Sequence, residues 1–89
     1  MSLTLRHIRY FIATAEAGQV SQAAAILAIS QSAVTTAIKE LEEDLAAPLF
    51  DRTPHGMDLT AAGRRFLAYA YEILQKVDEA THFSLETSA

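Results

Sequence analysis

The 89-residue sequence contains no cysteine, which excludes disulfides, thiolate metal sites and cysteine nucleophiles. Its histidines, His7, His55 and His82, are scattered and have no cysteine beside them, so no metal site is expected. No nucleophile–base pair and no phosphate-cradling glycine loop occurs, so neither an enzyme nor a cofactor is expected. No run approaches the roughly 20 consecutive apolar residues that span a membrane. The start, MSLTLRHIRYF, lacks an apolar stretch followed by a small-residue cleavage site, so no signal peptide is expected. Together with the missing cysteine, this predicts a cytoplasmic protein without a membrane partner. There is no internal repeat and no low-complexity segment.

Bases are scarce, with seven Lys and Arg against eleven Asp and Glu and a formal net charge of −4. Taken as a sum, that argues against nucleic acid, whose binders are usually basic. Position changes the reading. Residues 1–39 carry Arg6, Arg9 and Lys39 against Glu16 alone. Glu40, Glu42, Glu43 and Asp44 then follow with no base among them. Arg52, Arg64 and Arg65 outweigh Asp51 and Asp58 in residues 45–71, and the tail turns acidic again. An acidic chain of this kind can still present a locally neutral or basic face.

Hydrophobic residues make up 51% of the chain, enough for one small core rather than a disordered tail. Leu5, Ile8, Ile12 and Ala15 recur at helical spacing, with Thr4 a candidate N-cap and Gly18 a candidate stop. Ser21 is expected to cap a short second helix through Ala23, Ala24, Ala25, Ile26 and Leu27. Small alanines let a neighbouring helix approach closely. Ala28 to Ser30 interrupt the run, and Ser30 caps a third helix with an apolar stripe at Val34, Ile38, Leu41 and Leu45. Pro48 is expected to end it. LFDRT and MDL, separated by the turn signal PHG, predict a small hairpin. Thr60 then caps a long last helix, where Phe66, Ala70, Ile73, Val77 and Ala80 form a heptad-like seam flanked by Leu67 and Leu74.

The fold expected is mainly α: a winged helix-turn-helix over 1–60, with a three-helix core and a hairpin wing, followed by a linker and dimerisation helix over 61–89. In such a motif the second helix of the pair, here residues 31–45, enters the major groove of duplex DNA by its N-terminal end. Gln31, Ser32, Thr35, Thr36 and Lys39 occupy the polar side of that half. The acidic second half must then point away from the phosphates.

The segments LRHIRYFIATAEAG, SQAAAILAISQSAVTTAIKELEEDLAAPLFDRT and LTAAGRRFLAYAYEIL carry a family resemblance. The order and spacing of AA, SQ, I-x-x-LE, PLF-x-R and LT-x-AG resemble the N-terminal domain of LysR-type transcriptional regulators, from about Leu3 to Ala80. The resemblance implies a DNA-binding winged helix-turn-helix and a linker helix that dimerises. It also implies a small-molecule effector acting through a further C-terminal domain, absent from these residues. Carried over by position, base contacts fall on Gln31, Ser32, Thr35 and Thr36, with Lys39 a turn further on. The wing contact falls on Arg52 with the Thr53 to Gly56 turn. Ser32 stands where the family commonly has proline, and Thr36 where it commonly has a base.

Each residue also has a plainer reading. Gln31 either pairs with adenine or is a solvated first-turn residue. Lys39 meets DNA or pairs with Glu43 at i+4. Arg52 contacts the backbone or sits in a structural ion pair. Ser21 and Ser30 are caps that can also meet phosphates, and His55, in the wing turn, is placed to approach DNA. Phe66, Ala70, Ile73, Leu74, Val77 and Ala80 are the expected dimer contacts, over residues 61–84. The alternative to DNA binding is a helical protein-interaction module whose acidic surface docks a basic partner.

Overall fold

The computed structural model describes the backbone of residues 3–87 and the side chains of residues 3–83. Four helices and one hairpin follow in the order α1 (Leu5–Ala17), α2 (Val20–Leu27), α3 (Gln31–Leu45), β1 (Phe50–Thr53), β2 (Gly56–Leu59) and α4 (Ala61–Thr87).

Local chemistry sets most boundaries. The Thr4 hydroxyl accepts from the His7 N–H at 3.3 Å, and the His7 ring accepts from the Thr4 N–H at 3.2 Å. This capping box starts α1. Gly18, left-handed at φ 73, ends it. Ser30 caps α3, its hydroxyl accepting from the Ala33 N–H at 3.1 Å. Thr60 holds the start of α4: its hydroxyl accepts from the Gly63 N–H at 2.9 Å and donates to the Pro48 carbonyl at 2.7 Å.

Two boundaries differ from the sequence expectation. Extended Gln19, not Ser21, is the N-cap of α2, and it makes no side-chain cap bond. Ser21 is already inside the helix and exposed. Helix α3 ends at Leu45, before Pro48 is reached, because Ala46 turns left-handed at φ 55. The N–H groups of Ala46 and Ala47 then bond the carbonyls of Glu43 and Glu42. Ala28 ends α2 in the same way at φ 58. Left-handed alanine costs roughly 1–2 kcal/mol, so neither stop advertises itself as glycine would.

The three-helix core closes on Phe11, which is fully buried with Ile8, Val34, Leu41 and Leu49. The Phe11 ring lies 5.3 Å from Phe50 and 5.2 Å, edge-on, from Phe66. One ring thus joins α1, the wing and α4. The hairpin pairs Phe50 with Leu59 and Thr53 with Gly56, and the Met57 N–H donates to the Gly18 carbonyl at 2.8 Å. That bond ties the wing to the end of α1. A Cβ on Gly56 would lie 2.2 Å from the same carbonyl oxygen, so only glycine fits this seam.

Ala70 is fully buried and Phe66 half-buried against the core. The single seam expected along α4 is therefore divided. Its first turns, through Ile73, close the domain's own core on α1, and Ala80 further along is exposed. The Tyr71 hydroxyl donates to Glu16 Oε2 at 2.6 Å, a second tie between α4 and α1. The far end of α4 extends beyond the globular part, giving extents of 52 × 27 × 21 Å. No helix among the described residues is long and apolar enough to cross a membrane.

Candidate nucleic-acid interface

Helix α3 has two unlike sides. Val34, Ile38 and Leu41 are buried in the core with residues of α1 and α2, and Ala37 is buried on the same side. Gln31, Ser32, Thr35, Thr36 and Lys39 are all exposed. The capped N-terminus leaves backbone N–H groups directed outward, the usual setting for a phosphate or a base edge. Lys39 makes no ion pair with Glu43 among the described residues, so the surface-pair reading of Lys39 has no support in the fold.

The wing stands beside this strip. Arg52 shares a cleft with Thr35 and Lys39. It is exposed and makes no ion pair among the described residues, against the reading of a structural salt bridge. Thr53 belongs to the turn itself: its hydroxyl accepts from the His55 N–H at 3.2 Å and donates to the Gly56 carbonyl at 3.3 Å. The exposed tip at Pro54 and His55 flanks a second cleft with Arg52 and Gln19. A third cleft, on the α1 side of α3, is lined by Arg6, Tyr10, Ser32, Thr36 and Glu40. Ser30 has its hydroxyl in the cap and 3.1 Å from that of Ser32. The fold thus gathers the expected α3 residues and Arg52 on one face, while Ser21 sits on α2 outside the clefts around α3.

The acids that follow Lys39 are not a uniform wall. Glu42 turns inward, its Oε2 accepting from the Leu49 N–H at 2.6 Å and the Phe50 N–H at 3.3 Å. It thereby fixes where β1 begins. Glu40 Oε1 lies 3.2 Å from Nε2 of the buried His7. Glu42 is thus committed inward, whereas Glu40 stays half-exposed beside His7 and Glu43 is exposed.

Sequence reasoning did not foresee the roles of His7 and Glu42 or the Tyr71–Glu16 tie. The spacing of Thr4 and His7 offered a signal, since a ring nitrogen at the third helical position can answer an N-cap threonine. The other two depend on contacts between distant segments. The Tyr71 hydroxyl titrates above its ordinary value of 10.0, first because it donates to the Glu16 carboxylate, then through desolvation and the charge of Glu16.

The sequence matches, over residues 5–64, the family model described as bacterial regulatory helix-turn-helix protein, lysR family. The chain belongs to the LysR family. As a LysR-family helix-turn-helix DNA-binding domain it is similar to the HTH-type transcriptional regulator CzcR of Bacillus thuringiensis subsp. konkukian, with 47% identity over 85 residues. That match covers 96% of this chain and 30% of CzcR. ClcR of Pseudomonas putida is 49% identical over 72 residues, covering 81% of this chain and 24% of the relative. The chain thus spans about 30% of the length of such LysR relatives. Among solved structures, a crystal structure of a CbnR DNA-binding domain–DNA complex superposes with a TM-score of 0.91 at 38% identity, covering 98% of this chain and 100% of that one. A BenM DNA-binding domain with benA site 1 DNA gives 0.90 at 33% identity, covering 96% and 99%. The winged helix-turn-helix with a long last helix is the architecture of these LysR domains.

The expected dimer contacts separate by position. Phe66 and Ala70 serve the LysR domain's own core, and Ile73 and Leu74 also pack on it. Val77 is half-buried and Ala80 exposed, and with Tyr69 and Ile73 they line an open apolar groove along α4.

Proposed function

We propose that this LysR domain binds duplex DNA sequence-specifically, as a homodimer on an interrupted inverted repeat. The recognition helix α3, about residues 31–45, enters the major groove by its N-terminal end, and the wing lies on the backbone or in the minor groove. The observation that carries this is the exposed amide and hydroxyl strip of α3 continuing into a cleft with Arg52, backed by a buried apolar face. Gln31, Ser32, Thr35, Thr36 and Lys39 read or flank bases. Arg52 and the wing tip at Thr53 and His55, with Ser21 and Ser30 at helix starts, face phosphates. Apart from Glu42, which acts inside the fold, no acid stands in the cleft between α3 and the wing.

The domain boundary falls between a winged helix-turn-helix over 1–60 and a linker helix that begins at 61; of the expected span 61–89, residues 88 and 89 lie outside the described residues. The apolar groove of α4 at Tyr69, Val77 and Ala80 supports pairing with a second copy, and a two-fold axis then sets two α3 helices on two half-sites. A small-molecule effector acts through a further C-terminal domain of the whole regulator. The domain itself performs no catalysis, as its transcriptional-regulator relatives suggest, and it works in the bacterial cytoplasm, where its DNA is. A mobility-shift titration with an interrupted inverted repeat against scrambled duplex tests this reading. Tighter binding to the repeat is expected, and equal affinity for both overturns sequence-specific binding.

A further inference from the structure

The acids of α3 have different fates, and Glu40 is the unusual one. Glu42 is consumed by two backbone N–H groups. Glu40 sits one turn past Thr36 and lines the cleft shared with Ser32, Thr36 and Arg6, on the flank of the exposed strip. Its side chain is 51% exposed, and one of its oxygens is engaged. Oε1 lies 3.2 Å from Nε2 of His7, whose side chain is only 4% exposed.

The tautomer of His7 follows from its other nitrogen. Nδ1 accepts from the Thr4 N–H at 3.2 Å and lies 2.7 Å from the Thr4 hydroxyl. A ring whose Nδ1 accepts carries its proton on Nε2. His7 therefore donates from Nε2 to Glu40, and the ring is itself fixed by the cap of α1. Oε2 of Glu40 has no hydrogen-bond partner among the described residues. The bond from His7 biases the carboxylate toward one orientation and leaves Oε2 as an acceptor on the flank of the strip. The carboxylate repels phosphates and the acceptor-only edge of guanine, and it accepts from an exocyclic amine. Adenine also offers an amine in the major groove, but its N7 acceptor lies beside it and repels the second oxygen, so the partner suited to a carboxylate is the N4 amine of cytosine.

We infer that Glu40 is a specificity-determining residue, selecting cytosine at one position of each half-site, and that His7 is its positioning residue. This rests on the DNA-binding reading above. The role of Glu40 is distinct from that of Gln31, which lies at the opposite end of the strip.

Selection from a library of randomised duplexes, sequenced after binding to the wild-type chain and its variants, tests it. The wild type is expected to enrich an inverted repeat with cytosine at a position that Glu40→Ala leaves unselected. The loss is about tenfold at that position, with the rest of the repeat retained. Glu40→Gln is expected to shift the choice towards adenine, which an amide recognises. His7→Gln keeps a donor near Nε2 and retains the preference, whereas His7→Leu weakens it. An identical enriched repeat for wild type and Glu40→Ala overturns the inference while leaving DNA binding standing. So does tighter binding by Glu40→Ala to all duplexes alike, which would make the carboxylate only a repulsive charge. An unaltered preference in His7→Leu removes the positioning role. A wild type that enriches nothing removes the DNA-binding reading and this inference with it.

Discussion

Gln31 and Glu42 stand on the same helix and do opposite kinds of work. Gln31 is exposed at the first turn, where nothing in the fold requires an amide. Replacing it with alanine is therefore expected to leave thermal melting unchanged and to relax the choice at one base position per half-site. A good bidentate contact discriminates by roughly 1–3 kcal/mol. Binding measured across single-base variants checks this, and uniform weakening would leave Gln31 with orientation alone. Glu42 faces inward and accepts two N–H groups at the start of the wing. Glu42→Ala is expected to destabilise the chain by about 1–3 kcal/mol, because those donors lose a charged partner. Glu42→Gln, which keeps an acceptor oxygen, loses less. Urea midpoints measure both, and an unshifted midpoint for the alanine variant would mean that water replaces the carboxylate without cost.

At the level of elements, the wing and α4 are joined to the helical core by few but directed contacts. Arg52 projects from β1 into the cleft with Thr35 and Lys39. Arg52→Ala is expected to weaken binding to every duplex and to reduce the slope of log affinity against log salt by about one. An unchanged slope removes Arg52 from the phosphate contacts. Helix α4 is tied to α1 by the Tyr71–Glu16 hydrogen bond as well as by Phe66 and Ala70. Since the folded phenol titrates above 10.0, its stabilisation is fully present below pH 10. It is lost as pH rises through the raised folded value, where the unfolded chain has already released the proton. Wild type is therefore expected to lose stability more steeply than Tyr71→Phe above pH 10. Parallel melting curves for the two proteins across that range would show that the bond contributes nothing.

The whole molecule is an unequal shape: a small core with a helix of 27 residues leaving it. Such a helix runs about 40 Å, longer than its own domain can cover. Tyr69 is 57% exposed, and with Val77 and Ala80 it lines the uncovered groove. A second copy laid on that groove buries apolar surface worth roughly 25 cal/mol per Å². Ile73 also packs against the core, so a charge there would disturb folding and pairing together. Val77→Glu separates the two. Sedimentation at micromolar concentration is expected to give a dimer for the wild type and a folded monomer for Val77→Glu, with binding to the inverted repeat reduced. A monomeric wild type overturns pairing, and a dimer that survives Val77→Glu moves the interface elsewhere.

Element order, the Thr4, Ser30 and Thr60 caps, the hairpin turn and the two-sided character of α3 were legible in the sequence. Each depends on residues within a few positions of one another, whose spacing acts through local hydrogen bonds and periodic burial. The left-handed stops at Ala28 and Ala46 were not legible, because alanine disfavours that conformation and nothing in the local sequence signals it. The close fit of Gly63, whose Cβ would lie 2.1 Å from the Leu49 carbonyl oxygen, is likewise a property of two segments meeting. Periodicity placed Phe66, Ala70, Ile73, Val77 and Ala80 on one stripe but did not say what that stripe faces. The turn of α4 against Phe11 decided that, closing the core with Phe66, Ala70 and Ile73 and leaving Val77 half-buried and Ala80 exposed. The same holds for charge. Composition fixed the sum at −4, while tertiary contacts turned Glu42 inward and bound Glu40 to His7, because a carboxylate goes where donors are, and those donors came from other elements.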